Sequence, residues 1–520
     1  MITRTASMVY SLKKNLLLVL LFSVVPYISA APFNFNGLIG VDYQPNHYAG
    51  KVPLNNHDVF VVGNNTAGTP ITNVYTELVQ LKEAGFNTVR SYQTTVFSWV
   101  EIINQAHALG MKVIYEAAIP QRPADSLYNG ACPFHRKNQN AIPCAQETLN
   151  AVITQVTKQV FDETVILVFA GHENYCEAGN TKSPCNNPAT SNVTYLTSAV
   201  NALQSTLAAA GLTTPVSSAL VSGNLVTPSM AISNDMMTLI DSYSPDAPLA
   251  FDPYPFQWGV QANKAVWTPP LASIVQSNNS LAWDYIHVVG SSNPKALPTA
   301  SKQPFYTAGR VLLAAETGWA TAGKNPSDDQ CNTPGPCVPS VANASTYYKA
   351  LYQSNTANFV ATSGYSMGVL AFEAYDEPNK GSSSTEGHYG LFDSNCQQKA
   401  AGLVPKNQMV SSLGCQGFSK GSLLTIVGGF GHPHTIVIRQ KNPITGKDAS
   451  ITATGQDREG PLDAKWPQYL VFPGATITIR GNPSCTKTVN SIDSAGHITF
   501  YPPNPSGCNC PNDGLSNCYY

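Results

Sequence analysis

Val311-Leu312-Leu313-Ala314-Ala315-Glu316-Thr317-Gly318-Trp319 is the stretch on which the fold turns. An apolar run without alternation leads straight into a carboxylate. Such a run suits a strand covered on both faces, as in a parallel sheet. Glu316 stands where the strand stops, Gly318 lets the chain turn, and Trp319 can line a pocket. A carboxylate at the C-terminal end of a buried strand is costly to desolvate, so it asks for a partner or a task. On this stretch alone a structural ion pair and a chemical role are both open.

Working outward, the same kind of run recurs, separated by helical periodicity. Strands are expected at Leu38–Tyr43, Asn87–Tyr92, Met111–Glu116, Val165–Ala170, Pro215–Val221, Leu249–Tyr254, Val311–Trp319 and Val369–Ala374. Helices are expected at Val74–Ala84, Val96–Leu109, Thr148–Phe161, Tyr195–Ala210, Met236–Ile240, Leu281–Val289 and Ala344–Val360. Eight β/α alternations of this length predict an α/β fold, a closed (β/α)8 TIM barrel. A doubly wound open sheet is the alternative, but no Gly-rich phosphate loop follows the first strand. From about Gly421 the texture changes to short strands: Leu423–Val427, Thr435–Ile438, Ala449–Ala453 and Ala475–Ile479. They predict a smaller C-terminal all-β domain. The expected organisation is a signal peptide over 1–30, a barrel over 31–415 and a disulfide-tied β domain over 421–520.

The totals exclude several classes. In 520 residues the net charge is −2 and only 12% of residues are charged, so there is no basic footprint for nucleic acid and no polybasic membrane patch. Lys13 and Lys14, the apolar run Leu16–Val25 and Ile28-Ser29-Ala30 have the layout of a secretory signal cleaved after Ala30. Export to the medium, a periplasm or a cell wall is therefore expected, with no membrane association after cleavage. Twelve Cys are then expected to pair. Close neighbours are Cys132 with Cys144, Cys176 with Cys185, Cys331 with Cys337 and Cys396 with Cys415. Cys485, Cys508, Cys510 and Cys518 cluster in the tail. The first three pairs follow the third, fourth and seventh strands, so they are expected to staple a rim around the active face and deepen a cleft for a polymer. Cys508-Asn509-Cys510 lacks zinc spacing, and neither a metal nor a cofactor is expected.

In a barrel the C-terminal strand ends share one face, the usual active face. Those ends carry Tyr43, Tyr92, Tyr115, Glu173, Tyr254, Glu316 and Glu373. No nucleophilic Ser or Cys with a His partner is among them. Carboxylates mixed with aromatic rings suit glycoside cleavage, where one acid protonates the leaving oxygen and a second carboxylate attacks or activates water. Aromatic faces offer surfaces for sugar rings. Any one of these Tyr is also well explained as a rim residue covering the barrel end; the convergence carries the argument.

At this point the motifs resemble glycoside hydrolase family 17, the β-1,3-glucanases, in its fungal and bacterial form. Leu313-Ala314-Ala315-Glu316-Thr317-Gly318-Trp319 is similar to the family's nucleophile segment, and Ala170-Gly171-His172-Glu173 to its acid/base segment. Asn87–Tyr92 resembles its second strand, which ends in an active-site Tyr. Phe372–Lys380, followed by Glu386–Asp393, resembles its eighth-strand signature. The resemblance spans roughly Gly37 to Asp393. It implies a retaining double displacement with Glu173 as acid/base and Glu316 as nucleophile, and it carries Glu377, Lys380 and Glu386 into the site. Two residues depart from the pattern. His172 stands where the family has an Asn that bonds the sugar 2-hydroxyl; it can also donate, with a different reach and protonation. Ala320 stands where Pro is common.

The resemblance thus implies a secreted enzyme that hydrolyses β-1,3-glucan, expected to act as a monomer on the polysaccharide or its oligosaccharides. Tyr43, Tyr92, His172, Tyr254, Trp319, Glu377, Lys380 and Glu386 are expected to bind substrate or support the two acids. A glucanosyltransferase and a non-catalytic glucan-binding protein are the competing readings. The first differs only in whether a sugar hydroxyl replaces water; the second has no need of two acids in one cleft.

Overall fold

The computed structural model describes residues 33–48, 59–93, 95–119, 141–173, 193–221, 234–252, 254, 256, 310–324, 338–354, 367–411, 415–426, 433–456, 468–480, 485–488 and 497–500. Eight parallel strands close a barrel: β1 (Ile39–Asp42), β2 (Thr88–Ser91), β3 (Lys112–Ala117), β4 (Val165–His172), β5 (Val216–Val221), β6 (Leu249–Asp252), β7 (Leu312–Thr317) and β8 (Met367–Ala371). Each pairs with its neighbours in sequence, and β8 returns to β1 with Val369 opposite Ile39. The open-sheet alternative is thereby excluded. The barrel and a separate β-sheet are the two layers of architecture that the apolar patterns predict.

The helices wrap the barrel where periodicity and end signals place them. Val74–Ala84 and Val96–Leu109 fall on their expected bounds. The second starts from the Thr95 hydroxyl, which accepts the Ser98 N–H, and buries Trp99, Ile102, Ile103 and Ala106 along one face. Gly85 and Gly110 end the two helices with φ of 109° and 66°, the left-handed cap that glycine adopts without penalty. The expected helix Thr148–Phe161 is in fact two, Ala141–Val156 and Lys158–Thr164. Thr157 between them has φ 75° and restarts the second helix with its hydroxyl on the Val160 N–H. The helix expected at Leu281–Val289 lies outside the described residues.

The C-terminal strands all form, in a nine-stranded sheet with Gln468–Val471, Cys485–Thr488 and His497–Phe500 added. Two members come from elsewhere. Phe60–Asn64, after β1, lies between Asp448–Gln456 and Gln468–Val471, with Pro70–Thr72 beside it. Gln440 fastens the junction: its amide nitrogen donates to the carbonyls of Val62 and Leu470, and its oxygen accepts the Phe472 N–H at 3.1 Å. The sheet therefore draws on the segment assigned to the barrel. Val59-Phe60-Val61-Val62 is an apolar run too short for periodicity to place.

Cys396 and Cys415 form a disulfide, as their closeness in sequence predicts. Cys144 is disulfide-bonded. The remaining rim cysteines, the tail beyond residue 500 and the signal segment lie outside the described residues. No helix among those described is long and apolar enough to cross a membrane.

Candidate active site

The C-terminal ends of the strands converge on Glu316, 4% exposed at the end of β7. The turn after it is close-packed: a Cβ on Gly318 would lie 2.3 Å from the carbonyl oxygen of Phe372, so only glycine fits. Four donors surround the carboxylate. Tyr92, just past β2, donates its phenol to Oε1, and Tyr254, two residues past β6, donates to Oε2 at 2.7 Å. Arg90 Nη1 stands 3.2 Å from Oε1, and His172 Nε2 stands 3.0 Å from it. Burial alone would raise the Glu316 pKa. The two cations and two hydrogen bonds outweigh it and hold the carboxyl well below the usual carboxylate range.

Glu173 reaches the same place through an irregular strand end. The β4–β5 register shifts between Phe169 and His172, and Gly171 takes φ 82°. Glu173 follows with φ 51°, its N–H on the Ala219 carbonyl of β5 at 3.0 Å. A left-handed non-glycine residue costs of order 1 kcal/mol and is found where a side chain must be re-aimed at a site. A carboxylate oxygen of Glu173, a ring nitrogen of His172 and an oxygen of Asp252 lie within 4.8 Å of one another. Burial pushes the Glu173 pKa up to about 7; His172 pulls it back, while Asp252 and Glu316 add to the rise. Below about pH 7 the two carboxyls that meet at His172 thus favour opposite protonation states.

Beneath them lies a charge cluster. Arg90, fully buried, forks onto Glu116 Oε2 through Nε at 3.1 Å and Nη2 at 2.6 Å, and donates from Nη1 to the Ala315 carbonyl at 2.8 Å. Asp42 and Asp252 stand 3.9 and 3.8 Å from the same guanidinium. Burial, then Glu316, raise the Asp252 carboxyl to about 6 against the pull of His172 and Arg90. Burial likewise lifts Asp42 well above its ordinary range, with Arg90 opposing.

A second group lies beyond β8. Lys380 Nζ is 3.1 Å from Glu373 Oε2 and also pairs with Glu377. Burial and Glu377 hold the Glu373 carboxyl well above its usual range; burial also raises Glu377, but Lys380 outweighs it and lowers the net value. Glu386, in the short turn Thr385–Gly387, is raised by burial, with Lys380 lowering and Glu316 raising it further.

The structure brings together Glu173, Glu316, Tyr92, His172 and Tyr254, with the group of Glu377, Lys380 and Glu386 alongside. Two expected contacts are corrected. Tyr43 is fully buried and gives its phenol to Glu77 Oε2 at 2.5 Å, away from Glu316. Trp319 is fully buried, edge-on to Phe256 at 5.1 Å, with its indole N–H on the Val338 carbonyl at 3.2 Å, so it is wall and not a sugar platform. Tyr115 is buried likewise, its ring 4.2 Å from Trp99. The reason is strand alternation: Asp42 and Glu116 face Arg90, so their neighbours Tyr43 and Tyr115 point the other way.

Two groups have metal-ligand proximity among the described residues. One is His47, Glu77, Cys396 and Cys415, whose two sulfurs are bound to each other; the other is His172, Glu173 and Asp252.

Residues 305–401 match the family model described as glycosyl hydrolases family 17, a segment that contains Glu316, β8, Glu377, Lys380 and Glu386. This is the family that the motifs resemble. Among solved structures the chain is similar to CJP38, a beta-1,3-glucanase and allergen of Cryptomeria japonica pollen, at 17% identity over 72% of this chain and 100% of that one, TM-score 0.45. It is also similar to an endo-laminarinase from Formosa Hel1_33_131, at 16% identity over 69% of this chain and 84% of that one, TM-score 0.43. Comparison with curated protein sequences finds no match.

Proposed function

We propose that this chain is an exported β-1,3-glucan hydrolase that works by retaining double displacement. The observation that carries the reading is the meeting of two carboxyls at His172 in opposed environments: Glu316 faced by two phenols and two cations that hold it low, Glu173 buried and pushed up to about 7. Environments that push two acids apart mark the acid and the nucleophile. Glu173 in its protonated form donates to the glycosidic oxygen as that bond breaks. Glu316 attacks the anomeric carbon and forms a glycosyl ester. Glu173, now a carboxylate, takes a proton from water, and the resulting hydroxide displaces Glu316 and regenerates the acid.

The substrate class follows from the family match and from the motifs around Glu173 and Glu316, with export and cleavage after Ala30 as part of the same reading. Tyr92 and Tyr254 are half-buried at the cleft and suit the edge of a sugar ring. Two donated phenols and two cations on one carboxylate also argue against a purely adhesive protein, because a binding surface gains nothing from so costly a desolvated acid.

The test is to incubate purified protein with linear β-1,3-glucan, mixed-linkage glucan and cellulose, and to follow product size and anomeric configuration. Shorter products from the β-1,3-linked chain with retained β configuration are expected. Products longer than the donor would reassign the enzyme to transfer. A folded sample inert on all three would overturn the reading. Glu316→Gln is expected to remove turnover while leaving glucan binding in place.

A further inference from the structure

We propose that His172 is a positioning residue for the nucleophile: a cationic strap between Glu316 on β7 and Asp252 on β6 that fixes one oxygen of Glu316 and sets both limbs of the pH profile. The inference rests on the roles given above to Glu316 and Glu173.

One ring nitrogen faces two carboxylates from adjacent strands. Nε2 lies 3.0 Å from Glu316 Oε1 and 3.2 Å from Asp252 Oδ2. A lone pair there would oppose two anions, whereas a protonated ring sets a positive charge between them. Nδ1 looks toward Glu116 Oε1 on β3 at 4.0 Å. From β2 come the Tyr92 ring, 5.6 Å from the imidazole, and Arg90, which faces the same carboxylates. Asp42 on β1 stands behind Arg90, and Glu173 follows His172 in the chain. The ring is therefore enclosed by Glu316, Asp252, Glu116 and Glu173, with one guanidinium opposing. Burial favours the neutral imidazole, but the carboxylates outweigh both burial and Arg90, and the ring holds its proton well above its ordinary pH.

The bulge that turns Glu173 toward the site also delivers this ring, 23% exposed, over the nucleophile. An amide at this position could donate one N–H without charge. The imidazolium does more, because its charge lowers the proton affinity of Glu316 and of Glu173 together. Removing the charge while keeping a donor releases both upward.

The experiment is the pH dependence of kcat/KM on linear β-1,3-glucan for the wild type, His172→Asn and His172→Ala. In both variants the acid and alkaline limbs are expected to move to higher pH, each by about one unit or more. A lower rate with both limbs unmoved would reduce His172 to a packing residue and overturn the proposal. A second measurement needs no turnover. In full-length protein carrying isotope-labelled histidine, the His172 ring signal, identified by its absence from His172→Asn, is expected to titrate well above 6.5 and to fall in Glu316→Gln. Titration near 6.5 in the wild type overturns the strap. Inactivity of the wild type on glucan would defeat the functional reading instead, and the histidine titration would still decide this one.

Discussion

Arg90 Nη1 lies 3.2 Å from Glu316 Oε1 and donates to the carbonyl of Ala315 at 2.8 Å, so one guanidinium holds both the Glu316 side chain and the backbone before it. The same group forks onto Glu116. Lysine keeps the charge but has no planar fork. Arg90→Lys is expected to lower kcat/KM by about tenfold to a hundredfold and stability by about 3 kcal/mol, since it breaks a buried multi-partner ion pair. Steady-state kinetics with denaturant unfolding read both; wild-type values in each would remove Arg90 from the site.

The pH profile has a definite sign. In the proposed mechanism Glu173 donates its proton only when protonated, and burial pushes it up to about 7, so activity is expected to fall as pH rises through about 7. Glu316 must be ionised and is held well below the usual carboxylate range, so the acid limb is expected below the ordinary Glu value. The bell of kcat/KM is therefore broad and extended on its acid side. A narrow bell centred near the ordinary carboxylate value would contradict the assignment of the two acids.

Glu77 anchors a second buried network. It accepts from the Tyr43 and Tyr48 phenols at 2.5 Å each and from Asn73 Nδ2 at 2.9 Å, with His47 Nε2 at 3.2 Å. Glu77→Ala takes this acceptor from several fully buried donors, for an expected loss of about 3–5 kcal/mol. Glu77→Gln, which keeps one oxygen, is expected to lose less. Denaturant midpoints compare the two, and equal stability of wild type and Glu77→Ala would show that the network contributes nothing.

Gln440 joins three strands through one amide. Gln440→Ala leaves two carbonyls and one N–H without that partner in a buried setting and is expected to cost about 3 kcal/mol. Calorimetry of the full chain is the check. An unchanged transition would mean the junction at Phe60–Asn64 does not depend on this side chain.

The barrel was legible because several strands are buried apolar runs, as at Val165–His172 and Leu312–Thr317, and because the helices Val74–Ala84 and Val96–Leu109 have periodic burial and a glycine stop. The acids Glu173 and Glu316 were legible because they end such runs. The ring of charge beneath them was not. Asp42, Arg90, Glu116 and Asp252 all lie within stretches quoted from the sequence, but nothing in a buried strand says which of two adjacent residues faces inward. Choosing Tyr43 over Asp42 and Tyr115 over Glu116 missed by one residue, which in a strand is the opposite face. Alternation counted back from the strand-end acids, combined with one charged residue on each of several strands, would have found the set. Trp319 failed for another reason: an aromatic after a strand end can line a cleft or close the wall behind it, and only packing against Phe256 and Tyr347 distinguishes the two.

Phe60–Asn64 also constrains the order in which the molecule can be completed. During synthesis it emerges ahead of seven of the eight barrel strands, while its neighbours in the sheet, Asp448–Gln456 and Gln468–Val471, emerge after all of them. Until then Pro70–Thr72 is its only local strand partner among the described residues. The nascent chain thus carries an apolar strand with unmet backbone groups through the making of the entire barrel, the condition under which strands pair with the wrong chain. Ribosome-bound intermediates that end before residue 448 are where a chaperone would find the most to hold.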